Sequence, residues 1–161
     1  MKAASLKEIK TELASYPRAD LETLCLRLVK YKKENKELLS YLLFESSNEI
    51  KYIEEVKLQI DTEFNRINNS SLFLAKKTIR KVLRTTQKYI RYSGLKRTEA
   101  ELLMYFCFKM KNSGISIGKS KAMNNLYNRQ LEKIHKVISS LHEDLRYDYQ
   151  LEIEEMGLTD L

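Results

Sequence analysis

Lys77, Lys81, Arg84 and Lys88 recur at intervals of four, three and four residues, a spacing that puts four cations in one row along an α-helix. At a rise of 1.5 Å per residue the row is about 16 Å long, enough to meet more than one phosphate of a nucleic-acid strand. Arg80 and Arg91 flank it, and Lys96 and Arg97 extend it past Gly94. Tyr89 and Tyr92 add rings nearby, and Tyr92 can stack on an unpaired base. Between residues 76 and 97 there is no acid at all. Like charges at i,i+4 cost a helix roughly 0.2–0.5 kcal/mol per pair, whereas a merely solvated face ordinarily intersperses Glu with its lysines. The chemistry this pattern suits is the binding of a polyanion, with these eight cations as its contacts.

The charge of the whole chain is uneven in the same sense. Residues 1–75 carry 12 basic and 12 acidic side chains. Residues 76–136 carry 16 Lys and Arg against Glu99, Glu101 and Glu132, and residues 137–161 carry one Arg and seven acids. A basic middle attracts nucleic acid, an acidic protein surface or an anionic membrane surface. The acidic end (Glu143, Asp144, Asp148, Glu152, Glu154, Glu155 and Asp160) offers an internal alternative, folding back on the basic helix or meeting it in a second copy.

Other chemistry-bearing residues point nowhere as definite. Gly114-Ile115-Ser116-Ile117-Gly118-Lys119-Ser120 is a near match to a phosphate-binding P-loop, but three residues separate its first Gly from Gly-Lys-Ser where the pattern has four. No strand pattern precedes it, which argues against nucleotide hydrolysis. As the start of a helix it can hold an anion through free backbone N–H groups beside Lys119 and Lys121, a secondary contact. Glu132 and His135 stand three apart and His142 follows one heptad on, but Ser139 occupies the place where a di-iron bundle would need a second Glu. Cys25 and Cys107 lack metal-ligand spacing and sit in apolar helical patterns that suit buried free thiols. The carboxylates Glu54, Glu55, Asp61 and Glu63 read as solvated helix faces. The expectation is a non-enzymatic protein with no metal and no cofactor.

Few glycines, one proline and many Leu, Ile, Lys and Glu favour helices. Leu6, Ile9 and Leu13 mark a first helix. Pro17 starts a second, long one, with apolar residues from Leu21 to Leu42 and the charged stretch 30–37 on its outer face. Ile50 to Ile67 marks a third, ended by Asn68-Asn69-Ser70. The fourth, about 71–92, sets Leu72, Ala75, Ile79, Val82, Leu83, Thr86 and Ile90 opposite the cationic row, with Gly94 as its exit. Thr98-x-x-Glu101 suits a capping box for a fifth helix through Lys111, whose nearly all-apolar run 102–108 belongs at the centre of a core. After a linker at 112–120, a last helix runs from about 121 to 156. Its seam of Tyr127, Leu131, Ile134, Ile138, Leu141 and Leu145 suits packing inside a bundle, or self-association as a homo-oligomer.

The sequence thus predicts an all-α fold over residues 1–161 as a single domain, a compact bundle of about six helices, with stacked helical hairpins as the alternative. There is no apolar run of membrane-spanning length and no signal peptide, so a cytoplasmic location is expected. The expected function is non-enzymatic binding of a polyanion, nucleic-acid phosphate foremost, through the basic helix at about 76–97. The rival is a protein-interaction or assembly scaffold.

Overall fold

The computed structural model describes residues 2–68 and 71–159. Asn69 and Ser70 of the expected helix stop, and Asp160 of the acidic end, lie outside the described residues. The fold is all-α, with no strand among the described residues. Among the described residues, eight α-helices follow one another: α1 Leu6–Ser15, α2 Arg18–Tyr31, α3 Lys33–Ser40, α4 Glu49–Asn65, α5 Leu72–Ser93, α6 Lys96–Lys111, α7 Lys121–Ser139 and α8 Glu143–Glu155. A π-helical turn, Tyr41–Glu45, follows α3, and a 3-10 turn, Ile117–Lys119, precedes α7.

The count is eight rather than six because two long helices break. Lys32 adopts an extended conformation (φ −141°, ψ 143°), which separates α2 from α3. Its N–H would have closed the helical bond to the Leu28 carbonyl; the Asn35 side-chain amide donates to that oxygen instead, at 2.8 Å. The second break follows Ser139. The Ser139 and Ser140 hydroxyls donate back to the Lys136 and Val137 carbonyls, the local competition with helical bonding that these residues favour. His142 is then extended and stands as the N-cap of α8.

The chain divides into two compact units, residues 1–44 and 45–161. In the first, α2 packs against α3, and a hollow of about 270 Å³ opens between them, lined by Cys25, Leu28, Val29, Asn35, Leu38, Leu39 and Leu42. Helix α1 opens with a capping box: the Ser5 hydroxyl accepts from the Glu8 N–H while Glu8 accepts from the Ser5 N–H at 2.7 Å.

The second unit is a helical bundle built around α6, which packs against α4, α5 and α7; α4 also packs against α5, and α7 against α8. Leu102, Leu103, Met104, Phe106 and Cys107 of α6 are completely buried, as the apolar run 102–108 predicts, and so is Met110 beyond it. Phe106 meets Phe64 of α4 edge to face, ring centroids 5.8 Å apart. The α7 seam is used internally, with Tyr127, Leu131, Ile134 and Ile138 all buried. Helix α6 begins two residues before Thr98, so Thr98 is not its cap. Buried in the first turn, Thr98 donates to Glu49 Oε1 of α4 at 2.5 Å, and Ser93 donates to the same oxygen.

Candidate nucleic-acid interface

Helix α5 is well anchored at both ends. Ser71 accepts from the Leu74 N–H at its start, and Gly94 turns the chain out with φ 69°, its N–H bonded to the Ile90 carbonyl. That left-handed conformation suits glycine, which has no Cβ to clash. The buried stripe is Ala75, Ile79, Val82, Leu83, Thr86 and Ile90; Leu72, at the helix start, is exposed. Thr86 is buried at no polar cost because its hydroxyl donates to the Val82 carbonyl at 3.0 Å. Burying this stripe against α4 and α6 turns the cationic row outward.

Lys77, Arg80, Lys81, Arg84 and Arg91 are exposed on α5, and Lys96 and Arg97 are exposed on the first turn of α6. Lys88 is half-buried, its Nζ 5.0 Å from the Tyr89 ring centroid and 5.9 Å from that of Tyr92. Lys81 Nζ is 3.1 Å from Glu63 Oε2, and Arg97 Nε is 3.0 Å from Glu101 Oε1. Among the described residues, Lys77, Arg80, Arg84, Arg91 and Lys96 have no such partner. Glu63 lies on α4, so the carboxylate that meets Lys81 comes from a neighbouring helix.

Beside the row runs a groove of about 300 Å³ between α4 and α5. Its floor is Val56, Ile60, Val82 and Thr86, and its rim carries Gln59, Thr62, Glu63, Lys81, Thr85 and Tyr89. Lys81 belongs to both the row and the groove. A second hollow, at the α5–α6 corner, is lined by Gln87, Arg91, Gly94, Glu99 and Lys133 among others; there Lys133 is neutralised by Glu99 at 2.7 Å.

The remaining expected sites are dispersed. Lys119 lies in the 3-10 turn and Lys121 opens α7, both exposed, with no side chain capping that helix. Glu132 and His135 are exposed on α7, while His142 lies beyond the helix break with Nδ1 3.4 Å from Asp144 Oδ2. Cys107 is buried as expected, and burial pushes its thiol up to about 12. Cys25 is exposed instead, because α2 buries no residue.

The acidic end reaches α6. Tyr149 of α8 donates to Glu101 Oε1 at 3.0 Å, and the Lys111 ammonium donates to the Gly157 carbonyl. Glu101 also draws Arg97 and, from α4, Lys57 at 3.7 Å. The Arg97 guanidinium is held above its ordinary value, first by its bond to Glu101. A neighbouring cluster joins α4 to α6: Asp61 accepts from the Tyr105 hydroxyl at 2.7 Å and from Lys109 at 2.9 Å. Apart from Arg97–Glu101, an i,i+4 pair, these contacts link residues tens of positions apart and had no signal in the local pattern.

The fold and this surface define an all-α protein with an exposed basic helix face and an amphipathic groove alongside. No family model matches the chain, and no curated protein or solved structure matches it either. Among the described residues, no helix is long and apolar enough to cross a membrane, and no cluster of three or more His, Cys, Asp or Glu side chains is placed to hold a metal ion.

Proposed function

We propose that the protein binds nucleic acid through the phosphate backbone, with the outer face of α5 as the contact surface. The observation that carries this reading is that, among the described residues, Lys77, Arg80, Arg84 and Arg91 stand exposed and without carboxylate partners on a helix that has no acid of its own. A surface shaped by solubility alone gains from interleaved acids; this one forgoes them where charge is most concentrated. Backbone contact of this kind fixes position and affinity without reading sequence. Lys96 and Arg97 extend the track onto α6, and Lys119 and Lys121 are a secondary contact.

The test is fluorescence anisotropy of labelled nucleic acid titrated with the full chain at 50 and 200 mM salt. Binding that weakens steeply with salt, and that the combined substitution of Lys77, Lys81, Arg84 and Lys88 to Glu abolishes while the helical circular dichroism is kept, is the expected result. Binding unaffected by the four substitutions rejects the α5 surface.

A second reading, a protein-interaction or assembly module, draws on the α2–α3 hollow. Its Leu28, Leu38 and Leu42 are all at least 36% exposed, the kind of apolar side chains a partner helix covers. That reading predicts a defined stoichiometry and little dependence on salt.

A further inference from the structure

We propose that the groove between α4 and α5 is a base slot, so that the preferred ligand is a single strand: its phosphates follow the cationic row and an unpaired base enters the groove. This rests on the backbone-binding reading above and adds to it the form of nucleic acid. The row and the groove are adjacent along α5 and share Lys81. Thr85 and Tyr89 lie between the cations and the groove floor, so a strand held on Lys77, Arg84 and Lys88 has its bases beside the opening.

The chemistry of the lining favours a base over a phosphate. Val56, Ile60 and Val82 give an apolar floor for a flat ring, and Gln59, Thr62 and Thr85 supply amide and hydroxyl groups at its edge. Glu63, at the same mouth, is paired through Oε1 with Arg66 at 3.0 Å and through Oε2 with Lys81 at 3.1 Å, and the remaining lone pairs of its carboxylate can accept from the exocyclic amino group of a base. The volume of about 300 Å³ is at the small end of ligand pockets and suits one ring system rather than a large molecule. Tyr89 offers an aromatic surface, with Lys88 already poised 5.0 Å from its ring. A duplex keeps its bases stacked inside and can use only the cationic row.

The experiment compares labelled single-stranded DNA, the same strand with abasic sites, and the matching duplex, each titrated with wild-type protein and with Thr85→Trp, which fills the groove from its rim and leaves every cation in place. Gln59→Trp, from the opposite wall, serves as the second variant, and circular dichroism checks that each is folded. Wild type should bind the intact single strand about tenfold or more tighter than the duplex or the abasic strand. Either Trp variant should erase that preference and leave duplex affinity unchanged. Equal affinity of wild type for all three probes, or a preference that survives in both folded variants, overturns the base slot and leaves backbone binding standing. Absence of binding to every probe at 50 mM salt overturns backbone binding, and the slot with it.

Discussion

Lys81 Nζ lies 3.1 Å from Glu63 Oε2, a contact made from α5 to α4 across 18 residues of sequence. Both partners are solvent-accessible, the Lys81 side chain 64% and that of Glu63 26%. Pairs of this kind contribute about 0.2–1 kcal/mol. Glu63 therefore competes with any phosphate that approaches Lys81.

Glu63→Gln should accordingly tighten binding of duplex DNA by about 1.4- to fivefold at low salt, the range that an exposed ion pair converts to. Stability should fall by no more than about 1 kcal/mol. Anisotropy titrations and urea unfolding of the same variant measure the two effects. Weaker duplex binding in the folded variant would mean that Lys81 needs Glu63 to be held in position.

Single substitutions along the row should act evenly. Lys77→Ala and Arg84→Ala should each weaken binding regardless of base sequence and reduce the slope of log affinity against log salt by about one. Because both side chains are exposed, the folding free energy should move by less than about 0.5 kcal/mol. A slope unchanged in both variants would show that neither residue contacts phosphate.

Thr98 and Ser93 both donate to one oxygen of Glu49, tying the start of α4 to the α5–α6 corner. Thr98→Val keeps the shape and removes a hydrogen bond to a charged acceptor, an interaction worth about 1.5–3 kcal/mol. A loss of that size in urea unfolding is expected, and a loss below about 0.5 kcal/mol would show that Glu49 finds a replacement partner.

Glu152 on α8 gives a pH signature. Burial first, then the charge of Glu101, raises its carboxyl above the usual value, with Glu155 adding to the rise and Lys57 opposing it. The folded state therefore holds this proton more tightly than the unfolded chain does. The associated stability is fully present below the unfolded value, near 4.5, and is lost as pH rises through the higher folded value. Glu152→Gln should raise the Tm at pH 7, with the gain shrinking as pH falls to about 4 and below, where the native side chain is protonated too. Thermal unfolding across that range decides it; a gain that persists undiminished in acid would have another origin.

The two thiols should separate cleanly. A thiol reagent should modify Cys25 in the native protein and reach Cys107 only after unfolding, because Cys107 is fully buried and its thiol is pushed up to about 12. Counting modified thiols before and after addition of guanidinium checks this.

Much of the fold was legible wherever a periodic stripe was long. The apolar positions of α5 from Ala75 to Ile90 and the central place of α6 follow directly from the spacing of residue types. The breaks were harder to see because each depends on a side chain capturing a carbonyl: Asn35 for Leu28, Ser140 for Val137. The pattern Ser/Thr-x-x-Glu occurs at both Ser5–Glu8 and Thr98–Glu101, yet only the first is a capping box. Thr98 is buried and meets Glu49 instead, a partner 49 residues away that no local window contains. The cationic row was legible for the same reason as the stripe opposite it. The α4–α5 groove and the Glu63 contact were not, since they exist only once two helices are side by side.

The corner at Gly94 also bears on how the candidate surface is assembled. A two-residue connection joins α5 to α6, and α4, α5 and α6 are neighbours both in the chain and in space. Surfaces built from such sequence-near contacts have low contact order, and their loops close at little entropic cost. The row and the groove beside it thus come from one stretch of chain, and they should form early in refolding.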